Sequence, residues 1–460
     1  DLVKEGARYD LAIAISILAA TGQIPHRRLQ RFEFLGELGL AGELRATRGS
    51  LCAALALLEG EDPISKPAQA DDNPGPLRLV ATKLHQKRLI IPAASASETD
   101  LAQHAVIPLN HLTEVIDLLR GNPPPRRKRA PTTPPGAEDP PNEILGQVAA
   151  KRALLVAAAG GHHLLMVGPP GTGKTLLSRR LAALLPPLSE RAALEVAAVY
   201  SAGGLVRPNA FQAPFRDPHH SASAPALVGG GSLPHPGEIS LAHHGVLFLD
   251  ELPHFKPSVL DHLREPLETR SISLARSRAR ARFPARFQLI AAMNPCPAGR
   301  ACDPTDADAG CRCNPEQARR YRGRLSGPLL DRIDLHVGVP PVPKTLLIDQ
   351  AAAVECLEDP RAAVAAARDR QLRRQGVLNV DLPSQALHQH CALDPSGREL
   401  LERAMDGYRL SARGVHRVLR VARSVADLEE LDSITTPQLR EALGYRALDW
   451  DAPRLAITAG

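Results

Sequence analysis

The sequence has few aromatic residues, no regular cysteine spacing and no long apolar run. Aromatic side chains make up 3% of its 460 residues, which argues against a single-strand binder built on stacked aromatic platforms. Seven cysteines without disulfide spacing favour a reducing, cytoplasmic compartment over a secreted scaffold. The longest apolar run, residues 11–20, is too short to span a bilayer. These features leave the large class of cytoplasmic globular proteins that do not contact a membrane.

The rest of the composition is ordinary, with a basic balance. Hydrophobic residues make up 44% and charged residues 23%, and the net charge is +6. The length suggests about three domains, and the charge favours an anionic partner besides any nucleotide. The chain begins at Asp1 without a methionine, so we expect it to be part of a longer protein.

Residues 168–175 match the phosphate-binding pattern G-x-x-x-x-G-K-[ST]. An apolar run at 164–167 precedes them, and leucines at helical spacing follow. This strand–loop–helix order directs backbone N–H groups at phosphates. Lys174 can reach the β- and γ-phosphates, and the Thr175 hydroxyl can hold Mg²⁺. The predicted nucleotide-binding residues are Gly168, Pro169, Pro170, Gly171, Thr172, Gly173, Lys174 and Thr175.

Two further predicted buried strands end in polar residues. Residues 246–249 lead to Asp250 and Glu251, and residues 288–293 lead to Asn294. Parallel strands deliver such groups to the sheet edge where nucleotides bind. We expect Asp250 to support Mg²⁺, Glu251 to polarise the attacking water and Asn294 to orient it.

Four arginines alternate along a predicted strand. An extended chain places alternate residues on one face, which suits contact with a phosphate backbone. A solvated edge strand protected by charge is the alternative. The candidate DNA-contacting residues are Arg276, Arg278, Arg280 and Arg282.

Four cysteines lie in one loop rich in proline, glycine and aspartate. Four thiols can form a zinc site, although the irregular spacing matches no common zinc knuckle, and reduced thiols without metal are the alternative. The candidate zinc ligands are Cys296, Cys302, Cys311 and Cys313.

Two further arginines are candidates for contact with nucleotide phosphates. Arg332 lies where a helix end could project it into a neighbouring subunit's nucleotide, and a surface ion pair with Asp331 or Asp334 is the alternative. Arg413 begins a helix with an apolar stripe, which could form a lid over the nucleotide.

The motif order predicts an α/β protein with a parallel sheet and further domains on either side. Residues 1–120 form an α+β domain with a hairpin at 32–40, and residues 121–141 form a proline-rich linker with a basic run. Residues 142–343 alternate strands and helices, and residues 344–460 are predominantly helical. The basic run at 126–129 could contact nucleic acid or could be a solvated linker.

In their order, the motifs resemble the AAA+ family of magnesium-chelatase-like proteins, in the branch that includes competence protein ComM and is also called the YifB type. The resemblance covers practically the whole chain. It is carried by residues 168–175, 218–221, 229–243, 245–251, 283–287, 293–295, 326–334, 411–413 and 421–428.

The resemblance implies roles for several residues. Asn294 is similar to the sensor-1 residue, Arg332 to the trans-acting arginine finger, and Arg413 to the sensor-2 arginine of the lid. Segments 212–244 and 270–287 are similar to the insert and hairpin that line a central pore. Residues 1–120 resemble a Lon-like, ribosomal-S5-type domain that lacks its first strands here.

The resemblance implies a homohexameric, ATP- and Mg²⁺-dependent DNA helicase. Such proteins drive branch migration during homologous recombination of transforming DNA, on single-stranded or branched substrates. A chelatase-type motor that remodels a protein partner is the alternative from another class, and a Lon-like protease is a third.

Overall fold

The structure is a computed structural model, which describes residues 7–59, 87–122, 144, 146–207, 209–231, 234–275, 280–299, 313–342, 359–408 and 410–446. The chain divides into two compact units, one of Asp1–Pro134 with Glu190–Ala210 and one of Pro135–Ser189 with Phe211–Gly460. The domain boundaries that the sequence suggests at residues 120, 141 and 343 stay predictions.

Helices and strands alternate through most of the described residues. The α-helices are α1 (Asp10–Ala20), α2 (His26–Leu29), α3 (Ser50–Glu59), α4 (Leu112–Arg120), α5 (Val148–Gly160), α6 (Lys174–Leu184), α7 (Glu190–Ala202), α8 (Ala224–Val228), α9 (Glu238–Leu241), α10 (Pro257–Asp261), α11 (Arg264–Thr269), α12 (Pro315–Arg322), α13 (Gly327–Leu330), α14 (Pro360–Gln375), α15 (Leu387–His390), α16 (Pro395–Tyr408), α17 (Ala412–Leu428) and α18 (Thr436–Gly444). In the described part of the chain, none of them has the length and apolarity needed to cross a bilayer.

In the described ranges, the strands fall into two parallel sheets and several short antiparallel pairs. They are β1 (Phe32–Phe34), β2 (Glu37–Leu38), β3 (Leu44–Arg45), β4 (Arg88–Pro92), β5 (Val106–Leu109), β6 (Leu164–Val167), β7 (Phe215–Arg216), β8 (Gly229–Gly230), β9 (His235–Pro236), β10 (Val246–Leu249), β11 (Ser271–Ala275), β12 (Arg280–Pro284), β13 (Gln288–Met293) and β14 (Leu335–Gly338).

The first unit is built on a three-stranded parallel sheet in the order β1-β4-β5. Successive residues of a strand face opposite sides, and β4 shows the result. Ile90 packs in one core cluster with Leu11 of α1, whereas Leu89 and Ile91 pack in another with Leu51 of α3. The central strand is therefore covered on both faces, which explains its continuous apolar sequence.

The hairpin predicted at residues 32–40 is wrong. Strand β1 pairs in parallel with β4, and the hairpin is formed by β2 and β3 instead. Its turn is closed by Gly39 N–H, which donates to the Glu43 carbonyl at 2.8 Å, and by Gly42 at φ +94°. The glycines do mark a turn, but one that lies after β2.

The second unit contains a five-stranded sheet in the order β14-β6-β13-β10-β7. Every pair in it is parallel, and strands β6, β10 and β13 are buried along their whole length. The prediction of an α/β protein with a parallel sheet and C-terminal helices is confirmed.

Alternate residues of β10 enter two different cores. Val246 and Phe248 pack with α5, α6 and the C-terminal helices, whereas Leu247 and Leu249 pack with α9, α10 and the β11–β12 hairpin. All four side chains are 0% exposed, and each such burial contributes about 1.5–3 kcal/mol. The two cores fix the position of the strand end, where Asp250 begins.

The C-terminal helices share the first of these cores. The predicted apolar stripe of α17 is present, with Val418, Ala422 and Val425 buried against α5 and α18. Beside it, the buried Asp427 accepts hydrogen bonds from Arg423 at 3.0 Å and from Asn379 at 2.8 Å. A buried carboxylate is stable only when fully partnered, so this network fixes how α17 meets the chain before α15.

Candidate active site

The P-loop lies between β6 and α6, on the central region of the parallel sheet. Gly171 and Gly173 have φ of +77° and +85°, a left-handed conformation that glycine adopts without a steric penalty. Gly173 is the N-cap of α6, and Lys174 is its first residue. The loop therefore directs a helix N-terminus at the space where an anion would bind.

Lys174 ties the loop to the end of β13. Its Nζ donates to the carbonyls of Gly168 and Pro169, both at 2.7 Å, and to Oδ1 of Asn294 at 3.2 Å. Burial lowers the pKa of Lys174, and the charges of Asp250 and Glu251 oppose that shift. The structure thus brings together the three strand ends that carry the predicted nucleotide site.

Thr175 and Asp250 meet as expected for a shared metal ligand set. The Thr175 hydroxyl donates to Oδ2 of Asp250 at 3.0 Å, and the Glu251 N–H donates to Oδ1 at 2.9 Å. Hydroxyl and carboxylate oxygens are the ligands that Mg²⁺ prefers, and Mg²⁺ keeps several waters besides. The residues present therefore fit a magnesium ion held with a nucleotide.

Glu251 has an unusual backbone conformation. Its φ is +52°, a region that costs a non-glycine residue roughly 1–3 kcal/mol and recurs at functional sites. Its Oε2 lies 3.2 Å from Nδ1 of His220, and its side chain is 49% exposed. The carboxylate can therefore be reached by water while one oxygen is held by the histidine.

The contact between His220 and Glu251 was not predicted from the sequence. His220 stands in a series of ring contacts, with centroids 4.1 Å from His219 and 5.8 Å from His254, which is 6.0 Å from Tyr321. Burial raises the pKa of Tyr321 to about 12. The position of Glu251 is therefore linked to the insert at residues 212–244 and to α12.

Glu268 of α11 lies beside both Arg332, the candidate trans-acting arginine, and Arg413, the candidate lid arginine. Arg332 forms an ion pair with it, donates to the Pro328 carbonyl at 2.6 Å, and is 11% exposed. Arg413 is 79% exposed and lies 4.0 Å from the same carboxylate. The ion pair of Arg332 is therefore with Glu268, and not with the Asp331 or Asp334 considered in the sequence.

The basic hairpin β11–β12 presents two of its four predicted arginines. Arg280 and Arg282 are exposed at alternate positions of β12 and pair with Ala275 and Ser273 of β11. They therefore share one exposed face, as the alternation predicts. Arg276 and Arg278 lie outside the described residues.

The cysteine loop is described only at its ends. Cys296 is buried and Cys313 is half-buried, whereas Cys302 and Cys311 lie outside the described residues. The four-cysteine zinc site stays a prediction.

Comparison with known proteins agrees with this arrangement. Residues 141–347 match the family described as magnesium chelatase, subunit ChlI, residues 356–446 match its C-terminal family, and residues 1–63 match the family described as subunit ChlI of Mg-chelatase.

Relatives match over nearly the whole chain. The chain is 42% identical to the YifB protein of Escherichia coli over 457 residues, which cover 98% of this chain and 84% of YifB. It is also 42% identical to competence protein ComM of Haemophilus influenzae, over 97% of this chain and 84% of ComM. The match includes both compact units, the P-loop and the acidic strand end, and the chain therefore belongs to the ComM/YifB family of magnesium-chelatase-like AAA+ proteins.

Proposed function

We propose that this protein is an ATP-driven DNA helicase that acts as a homohexameric ring in the cytoplasm and drives branch migration in homologous recombination and natural transformation. Its family implies ATP hydrolysis. The observation that carries the proposal is that arginines gather at two places outside the P-loop. Arg332 and Arg413 lie together at Glu268, and Arg280 and Arg282 are exposed on one face of β12.

The residues of one subunit supply one half of the hydrolysis site. Lys174 and the loop N–H groups would hold the β- and γ-phosphates, while Thr175 and Asp250 would hold Mg²⁺. The bound ion would neutralise charge that develops on the phosphoryl oxygens. Glu251 would take a proton from the attacking water, and Asn294, bonded to Lys174 Nζ, would help to position it.

The neighbouring subunit would supply the other half. Arg332 and Arg413 meet at one carboxylate, so they would approach a neighbour's phosphates together. In this arrangement, release of Arg332 from Glu268 would accompany the binding of ATP between subunits. A guanidinium that reaches the transferred phosphoryl group is typically worth 10³–10⁵ in rate.

We therefore expect Arg332→Ala to lose activity through its neighbours. Pure Arg332→Ala protein should retain ATP affinity and lose turnover. Mixing it with inactive Lys174→Ala protomers should restore some activity, because each Arg332→Ala protomer with an intact P-loop would receive Arg332 from a Lys174→Ala neighbour. Steady-state turnover across mixing ratios measures this, and no recovery at any ratio would contradict the trans role.

The exposed arginines of β12 would contact the DNA backbone. The net charge of +6 favours an anionic partner, and one relative is named competence protein ComM. A row of guanidiniums on one strand face can follow successive phosphates of single-stranded or branched DNA without reading sequence.

The test is ATP turnover with and without branched DNA. We expect DNA to stimulate the wild-type protein, and we expect Arg280→Ala/Arg282→Ala to lose that stimulation while keeping turnover without DNA. Arg373→Ala/Arg403→Ala, which removes the same charge from exposed positions of α14 and α16, is the matched control. If DNA stimulates the ATP turnover of all three proteins equally, the arginines of β12 do not contact the DNA.

A further inference from the structure

A cleft of about 520 Å³ in the second unit has an excess of basic side chains. No P-loop residue lines it. Its walls come from the residue before β6, from α11, from the two residues that flank the β11–β12 hairpin, from the turn before β14, from the segment between α14 and α15, and from α17. Five of the lining residues are arginines, namely Arg270, Arg286, Arg332, Arg417 and Arg420.

The negative charges in the cleft are fewer. Among the residues that the structure describes, the carboxylates that line it are Glu268, Asp334 and Asp381. His163 also lines it, and burial lowers the pKa of His163 to about 4, so that this ring is neutral near pH 7. Five guanidiniums thus face three carboxylates in a concave, partly buried space, where the surplus charge is poorly screened.

Part of the donor capacity of these arginines is unused. The Nε of Arg332 and the Nη1 of Arg417 are buried and have no hydrogen-bond acceptor among the described residues. Arg417 lies 3.7 Å from Asp334, too far for a hydrogen bond. A buried donor without an acceptor costs about 1–3 kcal/mol, and an oxyanion in the cleft would remove that cost.

Burial of the guanidiniums, with some repulsion between them, gives the same indication. Burial, together with Arg286 and Arg420, lowers the pKa of Arg270 to about 10. Burial also lowers the pKa values of Arg417 and Arg420. The protonated forms of these three arginines are therefore less stable here than in water.

Asp381 occupies one side of the cleft and already acts as an internal anion. It accepts hydrogen bonds from Arg270 at 3.0 Å and from Arg286 at 2.7 Å. Those two arginines flank the β11–β12 hairpin, whereas Asp381 belongs to the 3₁₀ helix Asn379–Asp381 that follows α14. Arg417 and Arg420, both on α17, also line the cleft.

We propose that this cleft is a second anion site, which binds clustered phosphate oxygens through Arg417, Arg420 and Arg332. Arginine forks suit phosphate oxygens, which they bind in pairs. The volume exceeds what inorganic pyrophosphate needs, and it falls within the range of ligand pockets. The phosphate group has two possible sources, a free anion or a nucleotide held by another copy of this chain. Where the phosphate is a free anion, the site goes beyond the proposed function, since it needs neither ATP turnover nor DNA. Where the phosphate belongs to a nucleotide of another copy, the site rests on the proposed function, in which Arg332 reaches a neighbour's phosphates.

The first experiment measures calorimetric binding of inorganic pyrophosphate to Lys174→Ala protein, in which the P-loop is disabled. Adding Arg417→Gln or Arg420→Gln should weaken binding about tenfold or more. Adding Asp381→Asn should strengthen it, because one negative charge leaves the cleft while an oxygen acceptor remains. Arg373→Ala, an exposed arginine paired with Asp369, should change nothing.

Opposite effects of the arginine and aspartate variants distinguish a binding site from a structural role, since loss of folding would weaken binding in both. Arg417→Lys keeps the charge and should retain most of the affinity if Arg417→Gln unfolds. If neither the arginine variants nor the aspartate variant changes the affinity for pyrophosphate, the assignment is overturned.

The second experiment separates the two sources. Binding of pyrophosphate to dilute, monomeric protein would identify a free anion. If pyrophosphate does not bind, labelled Lys174→Ala protein is mixed with ATP-loaded Glu251→Gln protein, and association that requires Arg417 and Arg420 would identify the nucleotide of another copy. Absence of both effects would overturn the proposal, whatever the outcome of the DNA experiments.

Discussion

Lys174→Ala protein should bind ATP at least about a hundredfold more weakly than the wild-type protein. Lys174 is the first residue of α6, and its Nζ reaches two loop carbonyls and Asn294. A hydrogen bond to a charged group contributes about 1.5–3 kcal/mol, and two such bonds to phosphate oxygens correspond to a factor of at least about 100. Titration with a fluorescent ATP analogue measures the loss.

A matched control separates this effect from loss of folding. Lys151→Ala removes the same side chain from α5, where Lys151 is half-buried and away from the P-loop in sequence, and it should leave ATP affinity unchanged. Both variants should unfold at temperatures close to that of the wild-type protein. Unchanged ATP affinity in Lys174→Ala would contradict the P-loop assignment.

Glu251→Gln should bind ATP normally and lose turnover by about 10²–10⁴-fold, the usual contribution of a general base. Glutamine has the same shape, and its amide oxygen can still contact His220, so the left-handed backbone at this residue need not change. The side chain is half exposed, which makes a loss of stability small. Only the ability to accept a proton from water is removed.

ATP binding and steady-state turnover, measured on the same preparation, test this expectation. Glu265→Gln is the control, because Glu265 is an exposed carboxylate on α11 that has no proposed catalytic role. A Glu251→Gln protein that turns over ATP at the wild-type rate would show that another group activates the water.

Much of the sheet and its edge could be predicted from local sequence. Strands β6, β10 and β13 are buried on both faces, so each is an apolar run apart from Gln288 at the start of β13, and each leads into residues that form the site. The apolar stripe of α17 is also a local pattern, with a period of 3.6 residues. Such patterns depend only on residues of the same strand or helix, and these residues are close together in the sequence.

Contacts between distant segments could not be predicted in the same way. Nothing near His220 or Glu251 in the sequence indicates that their side chains meet, and the contact exists because the insert folds against the end of β10. Arg332 is similar: its neighbours in sequence suggested Asp331 or Asp334, but α11 brings Glu268 closer. Asp381 accepts hydrogen bonds from Arg270 and Arg286, at the two ends of the basic hairpin, but no sequence motif marks it.

The wrong hairpin has the same cause. Glycines at 36 and 39 indicate that the chain turns, but they do not show which strand pairs with β1. That strand is β4, more than fifty residues later (88 − 34 = 54). Turn residues limit where a strand ends. They do not determine which strand pairs with it.

Strand displacement on a forked DNA substrate tests the central claim most directly. Purified wild-type protein with ATP and Mg²⁺ should separate the strands, and Glu251→Gln protein under the same conditions should bind the fork without separating it. Vigorous ATP hydrolysis by the wild-type protein, without strand displacement and without any change in rate when forked DNA is added, would contradict the account.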